Sequence, residues 1–179
     1  MHIEIQLTNI DTSYIIKNLY PLYLHDLSGH YGHLPNQHGI YEDTDDVKTL
    51  SEQYEVQNIW WEKPGVLFPY LIRVDERPAG FILIATPPYC NKGIDYFVNE
   101  FFLLQPYRGK GIAEKAAHLV FDQHRGKWEL FTNHLEANIA GQKFWRRAVC
   151  TYTNGNYIEE LGETFDGMKL IFRFDNLHE

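Results

Sequence analysis

The chain has 179 residues, 44% hydrophobic and 22% charged, enough apolar mass for the core of one domain, or at most of two small ones. A formal net charge of -8 argues against a nucleic-acid surface, which needs a basic face, and fits a cationic or neutral small partner better. Two cysteines, Cys90 and Cys150, make no disulfide framework, so a reducing, cytoplasmic setting is expected, and no segment reaches the length that spans a bilayer.

The opening "MHIEIQLTNI" alternates apolar Ile3, Ile5 and Leu7 with polar His2, Glu4 and Gln6, which predicts a strand and not a signal peptide. Asp11 or Thr12 can cap a helix running to about Leu27, with Ile15, Ile16, Leu19, Leu22 and Tyr23 on its buried side. "SGHYGHLPNQHGIYEDTDD" reads as a long loop, and a second helix is expected over residues 44–59, before Pro64. "FPYLIRV" and "AGFILIA", joined by "DERP", form a hairpin pattern. "DYFVNEFFLL" is nearly continuous in apolar residues and predicts a strand buried on both faces. A helix follows over residues 109–125, with Gly126 placed to end it. "WELFTN" predicts a strand and "NIAGQKFWRRAV" a helix. In "TYTNGNYIEEL", Asn154-Gly155 marks a tight turn between strands, and "MKLIFRF" closes the sheet. The order β-α-α-β-β-β-α-β-α-β-β implies a single α/β domain, a mixed, mostly antiparallel central sheet with helices on both faces.

Gly109 and Gly111 stand one residue apart between a strand and a helix, although an interior glycine costs roughly 1 kcal/mol relative to alanine. A glycine turn that feeds a helix exposes backbone N–H groups, and with the helix dipole these form an anion site. "RGKGIA" therefore reads as a phosphate cradle, set against the plainer reading of a connecting turn. The Walker pattern fails because Ile112 follows Gly111, and the dinucleotide fingerprint fails because Glu114 takes the third glycine position.

Arg108-Gly109-Lys110-Gly111-Ile112-Ala113, directly after "NEFFLLQPY", resembles motif A of the GNAT superfamily of N-acetyltransferases, Q/R-x-x-G-x-G/A. "NIAGQKFWRRAV" resembles the superfamily's motif B, and "FWRRAVCTYTNGNYIEE" resembles a bacterial branch of it. The resemblance runs from about Phe68 to Ala148. It implies direct transfer of an acetyl group from acetyl-CoA to a primary amine, on a small molecule or a peptide, with no metal and no covalent enzyme intermediate. The strand bearing Glu100, Phe102, Leu103 and Leu104 would pair with the pantetheine arm. The amides of Arg108, Gly109, Lys110, Gly111, Ile112 and Ala113 would hold the pyrophosphate, with Asn138 and Trp145 as further contacts. Residues 66–149 would form the acetyl-CoA core and residues up to about 65 the acceptor side.

The departures from the pattern matter. Trp145 stands where the superfamily often has the tyrosine that protonates the coenzyme A thiolate, and indole cannot deliver that proton. Trp145 is instead expected to wall the acyl pocket. A coenzyme A-binding or sensing module without turnover is the alternative function, and a protein that keeps only the fold is a third. Gly141, where alanine is usual, is expected to be harmless, and Val149 replaces a usual glycine.

Glu100 is a lone acid in an apolar strand, so it is either a structural ion-pair partner or a working group with a raised pKa. The resemblance makes it the candidate base for the amine, with Asp95 second. Asn138 has the plainer role of an N-cap. Tyr152 and Tyr157 are sheet residues first and substitute acids second. His25, His30, His33 and His38 match no metal spacing. Tyr23, Asp26, Tyr31 and Tyr41 suit an acceptor-side wall. "IWWEKPG" suits more of that wall, a core patch or a homodimer contact. Arg146 and Arg147 read as a solvated helix face, and neither cysteine fits a nucleophile constellation.

Overall fold

A computed structural model describes residues 1–177. Along the chain run β1 (Ile3–Leu7), α1 (Ser13–Tyr31), α2 (Leu50–Val56), α3 (Ile59–Glu62), β2 (Leu67–Val74) and β3 (Arg77–Ala85). Then follow β4 (Tyr96–Leu103), α4 (Ile112–Gln123), β5 (Lys127–Thr132), α5 (Ile139–Thr153), β6 (Ile158–Thr164) and β7 (Gly167–Asp175). The strands form one sheet in the order β1-β2-β3-β4-β5-β7-β6. Every neighbouring pair is antiparallel except β4 with β5. The expected fold class is the one observed.

Strand alternation sends side chains to two separate cores. Leu71, Phe81, Leu83, Phe97 and Phe102 pack with Ile16, Leu19 and Tyr20 of α1 and with Trp60 of α3. Ile72, Ile82, Val98, Trp128 and Phe172 pack on the opposite face with Val120 and Phe121 of α4 and Ala148 and Val149 of α5. Both faces of the inner strands are covered, which is why β2, β3 and β4 read as apolar runs. The outer strand β6 is different. It carries Glu159, Glu160 and Glu163 and leaves Ile158 and Leu161 exposed.

Several sequence expectations shift. The first helix runs on to Tyr31 and closes on Gly32, whose φ of 70° lets its N–H reach Ser28 O. Leu22 is exposed, while Tyr20 and Lys17 are buried in its place. Thr12 makes no side-chain cap; it bonds back to Asn9 instead. The second helix is shorter than residues 44–59: Thr49 and Glu52 form a reciprocal capping box that starts it at Leu50, and a separate turn holds Ile59–Glu62. Gly126 does not end α4, because His124 is the extended C-cap. It permits a close approach instead, since a Cβ there would lie 2.7 Å from Asp95 Oδ2. Asn154 and Gly155 do not join two strands. "TYT" belongs to α5, and Asn154 at φ 53° is its left-handed C-cap.

Phe81 is fully buried beneath Tyr20, Tyr23 and Phe102. Phe81→Ala is expected to lower unfolding free energy by about 3–5 kcal/mol, measured by denaturant titration.

Candidate active site

The site grows from one irregularity in β4. Glu100 pairs with Leu83 and Val98 with the next residue, Ile84, so Asn99 is an extra residue with no partner in β3. Strict alternation would turn Glu100 to the α4 and α5 face beside Val98. The bulge turns it to the α1 face, beside Phe102. On the other side, β4 and β5 pair only at Tyr96–Trp128, Phe97–Glu129 and Val98–Leu130. Beyond these three pairs the strands part. Residues 99–103 keep β3 on one side and, among the described residues, have no strand on the other.

Glu100 Oε1 accepts the Tyr20 hydroxyl at 2.7 Å. Its Oε2 is shielded from solvent and has no hydrogen-bond partner among the described residues. Burial pushes the carboxyl up to about 7, and the Tyr20 bond partly opposes that rise. No cation pairs with Glu100, so the structural ion-pair reading has no partner among the described residues. Burial and the neighbouring Glu100 raise the Tyr20 phenol well above its usual range. Sequence reasoning passed over Tyr20, yet Ile16, Tyr20 and Tyr23 fall on one helical stripe and the phenol is its polar member. Asp95 does not join this site: its Oδ2 accepts the Lys127 N–H at 2.8 Å and pins the start of β4 to β5.

Past β4 the chain makes a single 3-10 turn, Gln105–Tyr107, and enters the glycine turn. Gly109 and Gly111 have φ of 72° and 75°, the left-handed region that favours glycine. No side chain caps α4, and the first bond of its opening turn runs from Lys115 N–H to Gly111 O. Among the described residues the amides of residues 112–114 have no acceptor, as at any uncapped helix start. Arg147 Nε of α5 holds the Glu114 carboxylate at 2.6 Å. Lys110 Nζ donates to Pro106 O. Arg108 Nε donates to Leu103 O at 2.7 Å, and its guanidinium pairs with Asp26 of α1. Arg108, expected on the cofactor side, and Asp26, expected on the acceptor side, are thus joined.

Asn138 is at the N-cap position of α5 but makes no cap bond. Its amide donates instead to Thr132 Oγ1 at 2.8 Å and to Asn133 O at 2.9 Å, anchoring the end of β5. Gly141 is therefore not interchangeable with alanine, since a Cβ there would collide with Asn138 Oδ1. Trp145 lies in the core, edge-on to Phe101 with centroids 5.2 Å apart and against Phe144.

The other candidates disperse. Tyr152 sits on α5, not in a strand, and donates to Asp122 Oδ1 at 2.9 Å. Tyr157 stacks on Phe172. Tyr23 packs against Tyr20 and Phe102 and so lies beside Glu100's surroundings, whereas Tyr31 accepts from Lys169 Nζ and Tyr41 meets His25. Among the described residues no cluster of His, Cys, Asp or Glu could hold a metal. His30 bonds to Ala137 O and His33 stacks on Tyr31. Trp60 is buried, and Trp61 Nε1 donates to Thr8 Oγ1. Arg146 and Arg147 are not a free solvated face, since they pair with Glu159 and Glu114. Cys90 donates to Ile94 O, and burial raises its thiol pKa. Among the described residues no helix is long and apolar enough to cross a membrane.

The acetyltransferase (GNAT) family profile matches residues 35–149. No curated protein matches the chain. Among solved structures, an acetyltransferase from Thermus thermophilus has a TM-score of 0.65 at 9% identity, covering 98% of both chains. A ribosomal-protein α-N-acetyltransferase in complex with coenzyme A has a TM-score of 0.66 at 13% identity, covering 98% of this chain and 94% of that one. An aminoglycoside acetyltransferase with coenzyme A and kanamycin has a TM-score of 0.62 at 11% identity, covering 97% and 95%.

Glu100 also leaves a signature in stability. Its folded pKa, about 7, lies above the ordinary 4.5, so the native state binds the proton more tightly than the unfolded state. Native stability is expected to fall as pH rises from about 4.5 to about 7, with the penalty complete above that window. Glu100→Gln is expected to remove this slope, measured as denaturation midpoints at pH 5 and pH 8.

Proposed function

Because the chain belongs to the acetyltransferase (GNAT) family, we propose that it transfers the acetyl group of acetyl-CoA directly to a primary amine. The observation that carries this reading is the unpartnered, water-shielded Oε2 of Glu100, on the stretch of β4 that has no strand on its β5 side. Acetyl-CoA supplies an acyl group already activated as a thioester.

In this proposal each part of the chain has one task. Phe102, Leu103 and Leu104 offer the open edge of β4 to the pantetheine arm. The turn from Arg108 through Gly109, Lys110, Gly111 and Ile112 to Ala113 offers its amides to the pyrophosphate. Asn138 steadies the far wall, and Trp145 fills space behind Phe101. Residues 66–149 serve as the acetyl-CoA core and residues up to about 65 as the acceptor side. The coenzyme A present in two neighbours of the same fold supports this division.

Glu100 takes the proton of the amine. A carboxyl near 7 is about half ionised at neutral pH, so it can accept a proton and later release it to water. Tyr20 holds one oxygen and leaves the other for the amine. Trp145 does not block turnover, because a thiol of pKa about 8.5 leaves more readily than a group like the phenol, at about 10. Acceptors named for the neighbours, a ribosomal protein and kanamycin, support an amine and leave its class open.

Glu100→Gln is expected to lower turnover by roughly 10²–10⁴ with coenzyme A affinity intact, and wild-type kcat/KM is expected to rise through pH about 7. Turnover within a few-fold of wild type would return Glu100 to a structural role. Unchanged coenzyme A binding with no turnover on any amine would favour the binding module that Trp145 suggests. Gly111→Val would force a branched residue into φ 75° at the turn, and coenzyme A affinity measured by calorimetry is expected to fall by about tenfold or more.

A further inference from the structure

Asn99, the extra residue of the bulge, shares the α1 side of the sheet with Glu100. Asn99 lines an open cavity of about 310 Å³ with Trp60, Leu67, Ala85, Tyr89 and Phe165. Trp60, Leu67 and Ala85 are buried and form its floor. Phe165, at the β6–β7 turn, is 77% exposed and leans its ring over Phe97 and Phe131, with centroids 6.0 and 5.7 Å away. None of these walls carries a charge.

The neighbouring acids are already engaged. Glu129 borders the adjoining cavity of about 200 Å³, but Asn91 Nδ2 and Arg173 Nε hold its two oxygens at 2.7 and 2.6 Å. Asp166, next to Phe165, pairs with Lys169 Nζ at 2.9 Å. The carboxylate with an unpartnered buried oxygen is Glu100, one residue from the cavity wall, and consecutive Cα atoms are about 3.8 Å apart.

We propose that this cavity is the acceptor pocket and that it selects primary monoamines with an apolar, phenyl-sized body over polycations. The inference rests on the acetyltransferase reading above. An ammonium held beside Asn99 would be next to Glu100, while a second or third would meet walls that hold no carboxylate and would gain no ion pair there. An aromatic or aliphatic body instead gains burial and edge-to-face contact with the same walls. The volume, at the small end for ligand sites, suits one ring and a short chain. The Asn99 carboxamide is a polar group in the wall that can bond a hydroxyl or carbonyl on the acceptor.

The test measures coenzyme A thiol release by the full chain with 2-phenylethylamine, spermidine and kanamycin. The kcat/KM for 2-phenylethylamine is expected to exceed both polycations by about tenfold or more. Phe165→Ala, at an exposed position that the fold tolerates, is expected to raise KM for 2-phenylethylamine by about tenfold with kcat nearly unchanged. Asn99→Asp is expected to narrow the gap to spermidine by adding a carboxylate. Equal or better use of spermidine or kanamycin would overturn the proposal, as would a Phe165→Ala variant with wild-type KM. If no amine is turned over, the acetyltransferase reading fails and calorimetry on the coenzyme A-loaded protein decides the pocket. Binding of 2-phenylethylamine, weakened by Phe165→Ala and stronger than that of spermidine, would sustain it; the reverse order would end it.

Discussion

One extra residue in β4 governs the site. With Asn99 inserted, the strand's alternation slips, and a carboxylate that would face α4 and α5 faces α1 instead. A bulged strand also bends, and this one leaves β5 after three paired residues. The same irregularity thus opens an unpaired backbone edge and aims an acid beside it. The surrounding sheet is regular and buried on both faces, so it can hold such a defect without unravelling.

Much of this was legible beforehand, for physical reasons. The apolar run of β4 marks a strand covered on both sides. Paired glycines at 109 and 111 mark the turn that feeds α4, and in the structure both adopt left-handed backbone. The bulge itself was invisible, because "YFVNEFF" reads as one continuous strand and a register slip has no composition of its own. Tyr20 was overlooked because a tyrosine in an amphipathic stripe reads as core, and its partner lies eighty residues away. The roles of Asn138 and Gly141 likewise come from packing between the end of β5 and α5, which spacing alone does not reveal. The Asn154-Gly155 pair misled because the left-handed conformation that serves a hairpin also closes a helix.

Ion pairs tie the separate elements around the cleft. Arg108 reaches from the glycine turn to α1, and Arg147 crosses from α5 to α4. Pairs this exposed add little to stability, on the order of 0–1 kcal/mol each. Their effect lies in placement. Arg147 keeps Glu114 away from the open amides of the α4 start, and Arg108 fixes the last carbonyl of β4.

The outer strand β6 sets how this molecule meets its copies. A sheet edge presents unpaired amides and carbonyls to any other strand, and its exposed Ile158 and Leu161 would welcome one. Glu159, Glu160 and Glu163 answer that hazard with like charge, and the first two are held in position by Arg146 and Arg173. A second copy laid against this edge would meet Glu163, which has no ion pair among the described residues, and a chain already carrying a net charge of -8. The exposed apolar side chains can therefore persist without seeding sheet-to-sheet polymerisation, and solubility along this border is an electrostatic property, strongest in dilute salt.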